Sequence, residues 1–171
     1  MDLLEEIKTS NKKGKGLLFY LSKKVKEDKT LLKNFKESLV NGTPVEKGTC
    51  MEVMEYASKD NPGVAAPFID DVIKYLNFNA LRVKWEAARV IANIAMRYPE
   101  RVAKAIDNLL KNTKDKGTVV RWSAAFALGE IAKNNPKIQS ELIPKIEKAL
   151  SSEDNNGVKN VYIKALKAIK K

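Results

Sequence analysis

The apolar positions along the chain follow a helical period, and one pattern of them occurs twice. The segment that begins at Val83 reads VKWEAARVIANIAMRYP, and the segment that begins at Val120 reads VRWSAAFALGEIAKNNP. Trp, Ala-Ala, Ile-Ala and a final Pro recur in the same order, 37 residues apart. A period of this length predicts helical hairpins that stack into a solenoid.

The repeated helix and the last helix of the chain differ in how much of their circumference is apolar. Apolar residues cover nearly every side of residues 83–98, so this helix must be buried on more than one side, between neighbouring repeats. We therefore expect Trp85 and Trp122, which share one repeat position, to be buried packing elements. Residues 157–169 carry a single apolar stripe, as a terminal capping helix requires: Val158, Val161, Tyr162, Ala165, Leu166 and Ile169.

Prolines at a fixed interval mark the corners between helices. Pro62, Pro99 and Pro136 lie 37 residues apart, and proline cannot continue a helix but suits the first turn of the next one. The predicted units are residues 43–78, 79–116 and 117–150, followed by the capping helix. Two weaker segments precede them, a short helix at residues 3–8 and a degenerate helix pair at residues 16–25 and 29–40.

The predicted fold is accordingly all-α, a right-handed α-α superhelix. No strand-like alternation of any length occurs in the sequence. We expect one continuous domain, in which residues 1–42 form a degenerate repeat or cap and residues 43–171 form the repeats with their capping helix.

Two kinds of segment alternate in the repeats, and together they resemble the HEAT-repeat family of armadillo-type helical repeats. One kind is APFIDDVIKYL at residues 66–76 and ELIPKIEKAL at residues 141–150. The other is the helix that follows, in which the residues that match the family are Val120, Arg121, Ala124, Ala125, Ala127, Leu128, Gly129, Ile131 and Ala132. The resemblance covers about residues 45–170 and implies a superhelical scaffold.

The same resemblance implies specific ion pairs at the corners. In the family an Asp at the corner usually pairs with the Arg of the next helix. Carried over, Asp115 would pair with Arg121 and Asp154 with Lys159. Asn79 stands where the acid would precede Lys84.

A nucleic-acid function is a second implication of the resemblance. HEAT-like proteins similar to alkylpurine DNA glycosylases hold a damaged nucleotide with Trp, Asp and Arg on a concave surface. Trp85 and Trp122 invite that interpretation, but no Trp–Asp pair at helical spacing accompanies either tryptophan.

Composition narrows the possible chemistry. The sequence contains no histidine and a single cysteine, Cys50, so the commonest general base and metal ligand are missing, and neither a Cys/His zinc site nor an intrachain disulfide can form. We expect a protein without catalytic residues, metal or cofactor. The lone cysteine favours a cytoplasmic location, and no apolar run approaches the length of a membrane span.

A formal net charge of +11 indicates an acidic partner. Lys74, Lys111 and Lys148 fall at one position of successive second helices, the helices predicted to line the groove, and Arg101, Lys104 and Lys145 could extend this lysine column. The alternative is that lysines near a helix C-terminus only complement the helix dipole and keep the surface soluble.

A basic segment at residues 11–26 surrounds the apolar run LLFYL. It predicts a flexible basic arm that leads into an amphipathic helix. Such a segment could contact nucleic acid or membrane head groups, or could form a solvated cap over the first repeat.

These observations favour a non-enzymatic HEAT-like scaffold that binds an acidic protein or peptide through its second-helix groove. The alternative is a nucleic-acid-binding protein, possible because of its charge and lysine column.

Overall fold

The computed structural model describes all 171 residues and contains only helices and the turns between them. The α-helices are α1 Leu3–Thr9, α2 Gly14–Glu27, α3 Phe35–Asn41, α4 Pro44–Asp60, α5 Ile69–Tyr75, α6 Leu81–Ile94, α7 Pro99–Val102, α8 Ile106–Asn112, α9 Thr118–Asn134, α10 Gln139–Ser151 and α11 Asn156–Ile169. The prediction of an all-α repeat fold is confirmed.

Each repeat consists of a long helix, a sharp corner and a shorter segment that returns. Short 3-10 turns at Lys29–Leu32, Pro62–Phe68, Ala103–Ala105 and Pro136–Ile138 precede or interrupt the returning helices. Pro62, Pro99 and Pro136 each occupy the first turn after a corner, as predicted. The pair α2 and α3 repeats the same arrangement with an Asp28 corner in place of a proline.

The long helices and the returning helices form two layers that pack differently. Helices α4, α6, α9 and α11 pack directly against one another in chain order, and α2 packs against α4. The returning helices α5, α8 and α10 pack mainly against the long helices and hardly touch each other. Since helices approach most closely on the inside of a curved stack, the long helices form the inner layer and the returning helices the outer layer.

One apolar core runs the length of the stack, from Leu3 to Leu166. Small residues let the long helices approach closely, because a short side chain leaves room for a neighbouring helix. The closest case is Gly129 on α9, where an added Cβ atom would lie 2.6 Å from the Cβ atom of Ala165 on α11.

A series of cationic side chains, which we call the cation ladder, joins each long helix to the corner that follows the same repeat. Lys47 lies over the ring of Phe78 at 5.0 Å, Lys84 Nζ lies 2.8 Å from Asp115 Oδ2, and Arg121 Nε donates to Glu153 Oε2 at 2.9 Å. Burial acts to raise the pKa of Asp115 and of Glu153. The hydrogen bonds from these cations and from backbone N–H groups outweigh it, so both pKa values are lowered.

This ladder corrects the ion pairs that the resemblance implied. The Asp115 carboxylate pairs with Lys84, and Arg121 contacts only the backbone carbonyl of Asp115 while its ion pair is with Glu153. Asp154 is exposed and forms no ion pair with Lys159. The reason is geometric: Lys84 and Arg121 each reach an acid of the corner that follows the same repeat, whereas at the preceding corner Arg121 donates only to main-chain carbonyl oxygens.

The basic segment near the N-terminus is mostly helical. Helix α2 begins at Gly14, whose positive φ of 53° lies in the left-handed region that glycine tolerates. The predicted flexible arm is therefore limited to residues 10–13. Lys24 on α2 pairs with the buried Glu6 on α1 at 2.6 Å, which fixes the two helices together. None of the helices has the length and apolar character needed to cross a bilayer.

Candidate functional site

The inner layer leaves one face of each long helix open to solvent. On α9 this face carries residues spaced three or four apart, which is the spacing of a single helical stripe. They are Val119, Trp122, Phe126, Glu130 and Lys133, all exposed or partly exposed. Two of the five are aromatic, so the open face of α9 is not the polar surface expected of a solvated helix.

The exposure of Trp122 corrects the prediction that both tryptophans are buried. Trp122 is 38% exposed, and Trp85 is only partly buried. The 37-residue period identifies the two indoles as equivalent, but equivalence does not decide which side of the helix they occupy. Both indoles reach solvent, Trp122 more than Trp85.

An aromatic cleft lies between α9 and α11. The rings of Trp122 and Phe126 stack with centroids 5.5 Å apart and planes inclined by 29°. Val161 and Lys164 of α11 line the opposite side of this cleft of about 300 Å³. It offers an apolar floor with an ammonium group at its rim.

A second cleft, between α6 and α9, continues the first. Phe126, Glu130 and Lys133 line both clefts, and the second adds Asn93 of α6 and Met96 of the turn that follows α6. The Met96 side chain is 80% exposed. We call the two clefts together the inner-face groove. An apolar side chain left this open on a groove is typical of an interaction surface.

Charges on the groove are unevenly distributed along the stack. Helix α11 and the two residues after it contain lysines at positions 159, 164, 167, 170 and 171 and no acidic residue. On α9, Lys133 pairs with Glu130. Of these lysines, Lys164 lines the aromatic cleft, so it adds a positive charge to the apolar C-terminal end of the groove.

At the other end of the inner layer, on α4 and α6, the charged side chains pair with one another. Arg82 of α6 pairs with Glu52 of α4, and Arg89 of α6 lies 3.3 Å from Glu55 and 3.5 Å from Glu86. The indole Nε1 of Trp85 donates to Glu86 Oε1 at 2.8 Å. These polar groups already have partners, so this end offers few free groups to a ligand.

Glu86 is the most perturbed carboxyl group of the inner layer. Its residue is only 3% exposed, and this burial raises its pKa to about 7, although the hydrogen bond from Trp85 and the charge of Arg89 act to lower it. Glu52 and Glu55 add like charges nearby and raise it further. A buried carboxyl with these partners is inaccessible to a substrate.

We expect Glu86→Gln to change how stability depends on pH. Because the folded-state pKa lies above the ordinary value, the folded chain binds more protons than the unfolded chain between about pH 4.5 and 7, and stability falls as pH rises through this window. The variant should lack this loss, which is on the order of 2 kcal/mol. Urea unfolding of both proteins at pH 5 and pH 8 measures the loss. If the free energy of unfolding falls by the same amount between the two pH values in both proteins, Glu86 is not the group responsible.

The predicted lysine column lies on the outer layer, away from the inner-face groove. Lys74, Lys111 and Lys148 are on α5, α8 and α10, and they are exposed. These second helices do not line the inner-face groove, which the long helices form. That a partner binds at the lysine column stays a prediction. Repeat spacing alone could not reveal which layer is inside.

Other residues predicted to extend the lysine column are engaged within the chain. Arg101 donates to the carbonyl oxygen of Ala66 at 2.7 Å, and Lys145 pairs with Glu141 at 2.8 Å, whereas Lys104 is exposed. A cleft of about 620 Å³ between α8 and α10 includes Lys145 and Lys148. Three acids also line it, Asp115, Glu153 and Asp154, so the surface there is mixed in charge.

No nucleophile or metal site accompanies the groove. The buried Cys50 thiol has a pKa raised by burial to about 12, so it stays protonated and unreactive at neutral pH. No cluster of three His, Cys, Asp or Glu residues has the arrangement needed to hold a metal ion.

Comparison with solved structures identifies the architecture. A designed armadillo repeat protein in complex with the peptide (KR)4 superposes with a TM-score of 0.77 and 19% identity, covering 98% of this chain and 80% of that one. The chain has the armadillo-like repeat fold. An engineered protein matches with a TM-score of 0.73, 21% identity and coverages of 98% and 78%.

A third similar structure is a computationally designed armadillo repeat protein for modular peptide recognition. It has a TM-score of 0.72 and 20% identity, and the match covers 97% of this chain and 81% of that one. No protein-family model matches the sequence, and no curated protein matches it. At these identities the likeness concerns the armadillo-like fold.

Proposed function

We propose that this chain is a non-enzymatic scaffold that binds an acidic protein segment with apolar anchors in its inner-face groove. The observation that carries the proposal is the exposed Trp122–Phe126 floor bordered by Lys164. Aromatic side chains that are open before binding and covered afterwards contribute most of the free energy at such interfaces.

The charge of the groove supports an acidic partner. Lys164 of α11 lines the aromatic cleft, and Glu52 and Glu55 of α4 are already paired with Arg82 and Arg89 of α6. One similar structure, the designed armadillo repeat protein, holds the basic peptide (KR)4. For this chain the unpaired charges near the aromatic cleft favour the opposite sign of ligand.

Nucleic-acid binding has less support as a function. The predicted lysine column of Lys74, Lys111 and Lys148 is on the outer layer, whereas the aromatic cleft is on the inner layer. The lysine column therefore does not share a surface with the aromatic side chains on which bases could stack.

A short fluorescent peptide of alternating Glu and Leu provides a direct test. We expect it to bind the chain, and peptides of alternating Lys and Leu or Glu and Ser to bind much more weakly, because they lack the acidic charge or the apolar anchors. Trp122→Ala should weaken binding by about tenfold or more, as loss of a central aromatic anchor does.

The matched control is Val40→Ala, which removes an exposed apolar side chain on the outer helix α3 and should leave the affinity unchanged. Lys111→Glu should also leave the peptide affinity nearly unchanged. If Lys111→Glu abolishes binding while Trp122→Ala does not, the ligand lies on the outer layer and the proposal is wrong.

A further inference from the structure

A separate exposed aromatic residue lies at the N-terminal end of the stack. Phe19 on α2 is 73% exposed. The other apolar residues of the same helix, Leu17, Leu18, Leu21 and Val25, are buried against the core. The Phe19 ring therefore contributes nothing to the packing of α2 and points away from it.

Lysines surround this ring along the helix surface. Lys15 and Lys23 lie four residues before and after Phe19 on α2, so both share its face of the helix. We call Lys15, Phe19 and Lys23 the Phe19 patch. Gly16, one helical turn before Phe19, has no side chain, and a Cβ atom there would meet nothing within 4 Å.

Few acids neutralise the Phe19 patch. Lys23 lies 3.9 Å from Glu27, and both side chains are about two-thirds exposed, so this pair is weak. The nearby Lys24 and Lys26 pair with Glu6 and Asp60. Lys12 and Lys15 have no acidic partner, and Lys12 Nζ lies 5.7 Å from the centre of the Tyr20 ring.

The chemistry of the Phe19 patch fits an anionic lipid surface. An aromatic ring on a helix lying in the membrane interface can enter the head-group region, and lysines around it attract anionic head groups while their methylene stems lie along the apolar boundary. Each lysine near an anionic surface adds to the attraction, and salt weakens it.

A nucleic acid fits the Phe19 patch less well. The first arginine of the sequence is Arg82, so the patch lacks the planar group that binds phosphates and base edges with two hydrogen bonds. A single ring projecting from a helix could stack only on a base that is already unpaired.

We propose that α2 docks this chain on anionic membrane surfaces, with Phe19 inserted among the head groups and Lys15 and Lys23 on either side of it. Binding is peripheral and reversible, because one aromatic ring and a few charges hold it. The Phe19 patch is on α2 and the inner-face groove is on α6, α9 and α11, so this inference does not depend on the proposed peptide-binding function.

Sedimentation of the full chain with vesicles tests the proposal. The vesicles contain phosphatidylcholine alone, or phosphatidylcholine and phosphatidylserine at about 7:3, at salt concentrations from about 0.05 M to about 0.5 M. We expect binding only to the anionic vesicles and its loss at high salt. Phe19→Ser should reduce the affinity by about tenfold, and the double variant Lys15→Glu with Lys23→Glu should reduce it further.

Two variants control for general charge and exposed apolar surface. Lys111→Glu with Lys148→Glu makes the same change in net charge on the outer helices α8 and α10, and Val45→Ser removes an exposed apolar side chain of α4; both should bind vesicles almost as the original chain does. Equal loss in the variant with the outer-helix charge changes would overturn the proposal. So would unchanged binding by Phe19→Ser, or binding of a single-stranded oligonucleotide through Phe19 without binding of vesicles.

Discussion

Phe35→Ala is expected to lower the free energy of unfolding by about 3–5 kcal/mol. Phe35 on α3 has 0% exposure, and its ring centre lies 5.0 Å from that of Phe68, at the end of the 3-10 turn of the next repeat. Truncation removes the ring and leaves a cavity that two repeats line. Urea unfolding followed by circular dichroism measures the loss.

Phe19→Ala is the matched control, because it removes the same ring from the same N-terminal region but from an exposed site. Its effect should stay within about 0.5 kcal/mol. We expect one unfolding transition in the Phe35 variant, since residues 1–42 share the core with the repeats. A separate early transition, or equal effects of the two substitutions, would show that the N-terminal helices are not an integral repeat.

Gly129→Ala should destabilise the chain by about 2 kcal/mol, although alanine is the better helix former. The added methyl group would lie 2.6 Å from the Ala165 Cβ atom, closer than two carbon atoms can pack, so α9 and α11 must separate. The same separation would open the aromatic cleft between these helices. Thermal or urea unfolding of the purified variant measures the expected loss.

Two further variants isolate the steric cause. Gly16→Ala places the same methyl group on α2 in open space and should stabilise by up to about 1 kcal/mol. Combining Gly129→Ala with Ala165→Gly exchanges the two side chains. The double variant should lose less free energy of unfolding than the sum of the losses in the two single variants. Simple additivity in that double variant would mean that the two positions do not contact each other.

Most of the architecture follows from the sequence pattern. The prolines at positions 62, 99 and 136 mark the corners, and the predicted helix at residues 157–169 corresponds to α11, Asn156–Ile169. These features are local, because proline geometry and apolar periodicity act within a few turns of helix. The degenerate pair at residues 16–25 and 29–40 was also predictable, as α2 and α3 with the intervening 3-10 turn.

The position of the functional surface could not be predicted in the same way. A repeat period shows that Trp85 and Trp122 are equivalent, and that Lys74, Lys111 and Lys148 are equivalent, but curvature of the stack decides which set faces inward. Curvature depends on how closely the long helices pack, and that in turn depends on small residues such as Gly129. The direction of the Lys84 and Arg121 ion pairs depends on the same packing.

One measurement tests most directly whether the layer of long helices is the binding surface. Amide chemical shifts of the isotope-labelled chain, followed during titration with the alternating Glu and Leu peptide, locate the ligand residue by residue. We expect the largest changes on α9 and α11, with the Trp122 indole N–H among them. Changes centred on Lys111 and Lys148 of the outer helices, with the Trp122 signal unmoved, would show that the long helices are not the binding surface.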